Sequence, residues 1–401
     1  MKKILVFATT FPSFLPGDTT PGFVYDLSKR LQKLGLQIIV LTPRVPGSKK
    51  YEEKDGMRIY RFPYFFRSQW ETLNDGAILP NIKKNKLLLF QVPFLLLAGF
   101  FYLIKIVKNE KIDTIHSHWI IPQGFLSVLY KKLFNKNIKI LCTTHGGDIF
   151  GLRGKIGTMI KKFTLKNIDK LTVVSNAIKT ECVKLGIAEN KIDVISMGVD
   201  TELFSPNNYD ENIKKQYNIN GKFLLFVGRL AEKKGVTYLI QAMRGIVDKY
   251  SDTKLMIIGN GPLEQELKNE VKELKLENNI IFTGGIQNNQ LPKYYATADI
   301  FVGPSIIAKD GDSEGFGLVF VEAILSGCIT FGSELYGITD IIENGKTGYL
   351  IKPNDSKDIE EKIKYILEND DFDEDNARSI ISKKFGWDEI SEKYFSLLNS
   401  N

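Results

Sequence analysis

The sequence predicts an α/β fold with parallel sheets, divided into two domains. Short apolar runs recur along nearly the whole chain, and segments of helical period separate them. A Gly-, Pro- and Asn-bearing stretch, MGVDTELFSPNN (197–208), interrupts the pattern near mid-chain and reads as a linker. Apolar runs of this kind are strands buried on both faces, and helical crossovers between them make the sheets parallel. Each half is then a Rossmann-like domain. Two such sheets facing a central cleft put the binding site where the strands end.

In the first half the strands are 4–8, 38–41, 114–118, 138–144, 171–174 and 193–196, with helices such as 23–34 and 125–134 between them. In the second half they are 223–228, 254–259, 279–284, 299–303, 328–332 and 348–351, with helices such as 236–249, 263–274 and 359–367. The closing stretch, FGWDEISEKYFSLLNS, has a helical pattern. The expected division is a first domain over 1–200 and a second over 201–380. A final helix, 381–401, packs back on the first. No internal repeat or low-complexity segment is visible.

The chain has 401 residues, 43% hydrophobic and 25% charged, enough for a sizeable core. A net charge of +7 favours anionic ligands or anionic membrane surfaces. No dense basic stripe is present, which argues against nucleic acid as a partner. Cys142, Cys182 and Cys328 lie far apart without paired spacing, so neither a disulfide framework nor a zinc site is expected. MKKILVFATTF has too short an apolar run for a signal peptide and reads as a first buried strand, which places the protein in the cytoplasm.

Residues 87–104, LLLFQVPFLLLAGFFYLI, approach the length of a membrane span. Gln91 and Pro93 interrupt the run, and lysines flank both sides, so the charge asymmetry of a span is missing. Two readings stay open: a core helix, or a helix partly buried and partly docked on a membrane surface, with peripheral contact through 83–108 at the inner face of the cell membrane.

All three histidines fall at or just past strand ends of the first half: His116 and His118 in TIHSHWIIPQG, His145 in ILCTTHGGDIF. Satisfied structural histidines are the competing reading, stronger for His116 and His118 than for His145, whose following Gly146-Gly147 lets a ligand approach the backbone. A metal triad is not expected, because no ligand-spaced carboxylate accompanies them. The loop after the first strand, TTFPSFLPGDTTPGF, offers hydroxyls and N–H groups at a helix start near Phe23, which suits an anion. A plain connecting loop is the alternative.

In the second half, FLLFVGRLAEKKGV sets Arg229 just past a buried strand and Lys234 before Gly235 and a helix. Two cations there suit a diphosphate, Arg bidentate and Lys as a point charge. Solvated surface charges are the alternative. In DGDSEGFGLVFVEA, residues 315–325 read as a buried apolar helix, so Glu322 inside it needs partners. If both glutamates were helical, Glu314 and Glu322 would lie ~12 Å apart along the axis, too far for an acid/base pair on one bond. Glu314 is therefore assigned to the loop, with Gly315 and Gly317 admitting a ligand. The two carboxylates then span a polyhydroxyl ligand, each accepting from sugar or ribose hydroxyls. An internal Glu–Arg pair is the competing account. Asp310-Gly311-Asp312 is a weak metal signal, since Arg229 and Lys234 already supply positive charge.

Together these motifs resemble the retaining glycosyltransferases of family 4, with the GT-B fold, over nearly the whole chain. In order stand GVD…F (Gly198, Val199, Asp200, Phe204), GRL…KKG (Arg229, Lys234), IGNGP (259–262 with Ile258), FTGGI (282–286), Pro304-Ser305, Glu314-x7-Glu322 and GKTGYLI (345–351). The first half, with FPS…PGF, IHSHWIIPQG and THGGDI, is similar to members that build cell-surface polysaccharides. Met197 stands where the family often has Asn, and Pro21-Gly22 where many members have Gly-Gly.

The resemblance implies metal-independent transfer with retention and no cofactor beyond the nucleotide-sugar co-substrate. Arg229 and Lys234 would neutralise the leaving diphosphate, Glu322 would hold the donor ribose, and Glu314 with Gly315–Gly317 would hold the donor sugar. His145 would contact the sugar near the reacting centre. Gly228, Gly261, Ile286 and Phe316 would complete the donor site. Pro21, Gly22, Phe23, His118 and Asp148 would lie on the acceptor side, facing a glycan or lipid-linked acceptor. A nucleotide-sugar epimerase of the same fold and a non-catalytic, membrane-docked nucleotide-sugar binder are the alternatives.

Overall fold

The structure is a computed structural model that describes residues 1–16, 18, 20–74, 78–151, 154–369 and 371–399. The chain forms two compact units, one of residues 1–198 together with the stretch from Ile390 onward, the other Val199–Glu389.

The first unit holds a sheet of eight strands: β1 (Lys3–Phe7), β2 (Gln37–Pro43), β3 (Tyr51–Lys54), β4 (Met57–Phe62), β5 (Thr114–His118), β6 (Lys139–Thr144), β7 (Lys170–Val173) and β8 (Ile192–Val194). Their order is β3-β4-β2-β1-β5-β6-β7-β8. Every pair is parallel except β3 with β4. That antiparallel hairpin turns at Asp55 and Gly56, both at positive φ, the two-residue geometry in which Asp-Gly is favoured. It is missing from the sequence reading because β3 is charged and exposed (YEEK), so a search for apolar runs passes over it.

The second unit holds β9 (Phe223–Val227), β10 (Lys254–Ile258), β11 (Ile280–Gly284), β12 (Ile300–Gly303), β13 (Ile329–Ser333) and β14 (Tyr349–Ile351). All pairs are parallel, in the order β11-β10-β9-β12-β13-β14. Each of the twelve apolar runs read from the sequence is a strand to within two residues at either end. The inner strands are buried along most of their length, as two-sided coverage requires, while β8, β11 and β14 at the sheet edges are only partly covered and β3 is largely exposed. In each sheet the order reverses once, between β1 and β5 and between β9 and β12. Loops leaving neighbouring strands there run apart and open a crevice at the carboxyl ends.

Two helices differ from expectation. Residues 87–104 are not one helix. A tight 3₁₀ segment, Lys86–Gln91, precedes an α-helix at Val92–Glu110. Pro93 sits in the first turn, where its missing N–H costs nothing. Leu95, Gly99, Leu103 and Ile106 pack into the core, and a Cβ on Gly99 would touch Phe62 and Leu126 at 3.3 and 3.4 Å. The helix expected at 315–325 is Leu318–Leu325. Gly317 stands at φ +90°, which ends any helical continuation toward Gly315.

The last helix, Trp387–Asn399, carries Tyr394 fully buried in the first unit, its hydroxyl 3.3 Å from Ile195 O and 3.4 Å from Thr172 Oγ1.

Candidate functional site

In the second unit the loop after β9 is held against the loop after β12 by main-chain contact. Gly235 lies at φ +62°, and a Cβ there would stand 2.0 Å from Pro304 O, so only glycine fits. Ile306 N–H donates to Lys233 O at 2.8 Å, and Lys309 N–H to Glu232 at 3.2 Å. The loop after β10 lies equally close: a Cβ on Gly261 would be 2.1 Å from Leu230 O. Gly228 sits between these turns, beneath the Lys234 side chain. Ile286, partly buried, follows β11 at the next strand end.

This packing fixes the charges. Lys234 is ion-paired with Glu314, both side chains largely buried. Lys233 pairs with Asp312 at 3.2 Å and reaches Ser313 O at 3.4 Å. Arg229 is exposed, and its side chain has no hydrogen bond or ion pair with any other described residue. Burial alone would raise the Glu314 carboxyl. Lys234 and Lys233, with the Gly315 N–H, outweigh it and hold the group below the usual range. The sequence reading set Lys234 on the diphosphate and Glu314 on the sugar; without ligand the two satisfy each other. Among the described residues no group of three or more His, Cys, Asp or Glu could hold a metal ion.

Glu322 lies on the short helix Leu318–Leu325, whose position is set by Phe320. That ring covers Gly303, Gly317 and Gly332, where added Cβ atoms would come within 2.4, 2.7 and 3.0 Å of it. The same packing leaves Glu322 partly buried, with the neutral Tyr295 hydroxyl at 3.0 Å as its one hydrogen-bond partner among the described residues. Among the described residues no arginine pairs with it. Burial raises its carboxyl to about 7, and the Tyr295 hydrogen bond recovers only part of that cost. Tyr295 was not singled out in the sequence: it is one tyrosine among 16, on the helix Leu291–Thr297, with no motif around it. Phe316 is buried, its ring 5.3 Å from Phe385, while Gly315 and Gly317 line the approach to the helix start.

At the strand-order reversal of the first unit the chemistry is neutral. His118, at the end of β5, faces His145 after β6, Nδ1 to Nε2 at 3.0 Å, with the rings 8° from parallel. Phe23 and Trp119 close on His145 at 4.9 and 4.8 Å between ring centroids. Trp119 adopts φ +75°, a strained conformation for a bulky residue, and sequence alone carries no mark of it. His116 is fully buried and bonded to Thr143 at 2.8 Å, which in turn meets Thr172 at 2.5 Å. His116 is thus a core member of a hydroxyl network.

Burial drives all three imidazoles down, His116 and His145 to about 3 and His118 well below its ordinary value, where its two neighbours add to the effect. They are neutral at physiological pH and serve as hydrogen-bond donors and acceptors without charge.

Asp148 is buried, accepting from Ile120 N at 2.5 Å and Thr144 Oγ1 at 2.6 Å, and burial raises its carboxyl despite those bonds. It braces the turn that follows Trp119. Pro21 and Gly22 precede the helix Phe23–Lys33 with no side-chain cap, and that helix carries Asp26 in its first turn. In the preceding loop Asp18 accepts from Ser13 and Thr20 N–H groups, while Gly17 and Thr19 lie outside the described residues.

Comparison with known proteins gives one answer from both units. Residues 22–203 match the family described as Glycosyltransferase Family 4, and residues 209–384 the family Glycosyl transferases group 1. The chain is 26% identical over 399 residues to the N-acetyl-alpha-D-glucosaminyl L-malate synthase of Bacillus anthracis, covering 98% of this chain and 96% of that one. It is 31% identical to an uncharacterized glycosyltransferase of Methanocaldococcus jannaschii, covering 71% and 74%. Among solved structures, sucrose-phosphate synthase from Thermosynechococcus elongatus superposes with a TM-score of 0.78 at 21% identity, over 99% of this chain and 98% of that one. Anabaena HepE in complex with UDP-glucose superposes at 0.75 and 17% identity over the full length of both.

Proposed function

Since the chain belongs to the family 4 glycosyltransferases, built on the GT-B fold, we propose that it moves a hexose-type sugar from a nucleotide-diphosphate-sugar to a glycan or lipid-linked acceptor, with retention and without a metal ion. The observation that carries this reading is the cluster at the β9–β12 reversal: an unengaged Arg229, the Lys234–Glu314 pair and an under-satisfied Glu322 around one glycine-lined loop.

In this reading the donor diphosphate competes for Lys234 and recruits Arg229, and both neutralise the charge that develops as the sugar–phosphate bond breaks. Glu314, released from Lys234, accepts from sugar hydroxyls beside the N–H groups of Gly315–Gly317. Glu322 accepts from the ribose hydroxyls. The acceptor oxygen attacks the anomeric carbon on the face the phosphate leaves, and its proton passes to the departing phosphate oxygen. His145, neutral and backed by His118, donates to the sugar. Gly228, Gly261 and Ile286 surround the nucleotide, and Pro21, Gly22, Phe23, His118 and Asp148 shape the acceptor side, Asp148 by bracing the main chain. Cytoplasmic action is supported by three free, buried cysteines.

The test is transfer of label from a panel of nucleotide-sugars, ranked first by thermal shift, to glycan and lipid-linked acceptors. Arg229→Ala and Glu322→Ala should abolish transfer with the fold intact, a chelator should leave the rate unchanged, and the product should keep the donor's anomeric configuration. Full activity in both variants sinks the reading. Conversion of nucleotide-sugar without acceptor would instead make it an epimerase, and binding without turnover across the acceptor panel a sensor.

A further inference from the structure

The helix Val92–Glu110 is apolar on two opposite faces, and only one is spent on the fold. At 100° per residue, Leu95, Gly99, Leu103 and Ile106 form the core face. Phe90 continues the opposite face of Phe94, Leu97 and Phe101 on the preceding 3₁₀ segment; Phe90 is 73% exposed, Leu97 70% and Phe101 63%. The segment Lys86–Glu110 is long and apolar enough to cross a membrane. Its core face is packed in the first unit, Gly99 against Phe62 on β4 and Leu126 on the helix Phe125–Leu133, which favours a helix lying along a membrane over one crossing it.

A neighbouring turn extends the exposed face. Phe66 is 77% exposed and packs on Phe94 at 5.6 Å, and half-exposed Trp70 lies beneath Arg67 at 5.2 Å. The rim is cationic at both ends, with Lys83, Lys84 and Lys86 before the stripe and Lys105 and Lys108 after it, all exposed. No Asp or Glu occurs between Asp75 and Glu110.

We propose that this face docks in the plane of a bilayer carrying anionic lipid, its phenylalanines in the acyl boundary and its lysines at the head groups. A second copy of the chain fits worse, because a two-fold contact through this patch would bring five lysines against the same five with no acid between them. The docking stands apart from the reaction proposed above. That it brings a lipid-linked acceptor within reach rests on that reading.

The experiment is co-sedimentation of the full chain with phosphatidylcholine vesicles, with and without phosphatidylglycerol, at low and high salt. Wild type should pellet with the anionic vesicles and be released by salt. The variant Phe90→Ser/Leu97→Ser/Phe101→Ser should lose about a hundred-fold or more in partition, and Lys84→Gln/Lys86→Gln/Lys105→Gln about five-fold per lysine. Both should keep the wild-type melting temperature and donor-induced thermal shift, since every altered side chain is exposed. The proposal is overturned if wild type stays in the supernatant with anionic vesicles. It is equally overturned if the serine variant binds as wild type does, or if wild type is a lipid-independent dimer that this variant splits. Vesicle binding without sugar transfer would leave the docking intact and remove the proposed reaction.

Discussion

At the reversal between β9 and β12 the second unit gathers Arg229, Lys233, Lys234, Asp312 and Glu314, with Glu322 nearby. At the corresponding reversal between β1 and β5 the first unit gathers Phe23, His118, Trp119 and His145, with no unbalanced charge among them. One topological device opens both crevices, and the side chains at the strand ends make them opposites. The charged crevice is suited to an anion, because a diphosphate can replace Glu314 as the counter-ion of Lys234 at little desolvation cost. The neutral one is suited to hydroxyls, because imidazoles held far below their ordinary pKa keep one donor and one acceptor each across the physiological range.

The strongest way to break this contrast is at Lys234. Lys234→Ala should cut transfer about 10²–10³-fold, the size expected for losing one preorganised charge at the leaving group. It should also destabilise the second unit by about 3 kcal/mol by leaving Glu314 buried and unpaired. Lys234→Met with Glu314→Leu should recover most of the melting temperature and none of the activity. Recovery of both would mean the pair serves the fold alone.

Gly303→Ala should come next. Its Cβ would stand 2.4 Å from the Phe320 ring, and overpacking of this kind costs about 1–3 kcal/mol. Donor binding should weaken with it, because Phe320 sets the helix that carries Glu322. Urea denaturation with and without nucleotide-sugar measures both.

The pH dependence sharpens the comparison further. Glu322 is raised in the folded chain to about 7, so between its ordinary range and about 7 the folded state binds more protons than the unfolded one. Wild type should therefore lose stability relative to Glu322→Gln as pH rises from 5 to 8, by on the order of 2–3 kcal/mol. Ribose hydroxyls favour the ionised form, so donor binding should release a proton below about pH 7 and tighten as pH rises toward it. Calorimetry in buffers of different ionisation enthalpy reads that proton. If the release is unchanged in Glu322→Gln, another group is responsible.

The smallest effect is expected in the neutral crevice. His145→Ala should lower transfer about ten-fold and modestly reduce the donor-induced thermal shift, by removing one hydrogen-bond donor to the sugar. The rate profile of wild type should show no inflection near 6.5 from these imidazoles.

Much of this was legible in the chain. Twelve strands announced themselves as apolar runs, because burial on both faces leaves a local signature. Glu314 is assigned to a loop because a helical Glu314 would stand ~12 Å from Glu322 along the axis, too far for an acid/base pair, and the order of the motifs along the chain points to the family. The β3–β4 hairpin was missed although Asp55-Gly56 is a turn signal, since charged edge strands carry little hydrophobic pattern. Trp119 stood inside a quoted motif, but its positive φ is a property of the folded main chain. Tyr295 had no signal, because its pairing with Glu322 spans two helices.

By itself, then, the sequence determined the apolar strands and amphipathic helices and which residues could carry charge at strand ends. Both depend on near neighbours in the chain. Only the tertiary structure decided who partners whom and in what protonation state. Lys234 and Glu314 are 80 residues apart, and they meet because β12 lies beside β9 while two intervening strands stack on its other side. The raised Glu322 and the silenced histidines follow from the same cause, since desolvation is set by what the fold packs around a group.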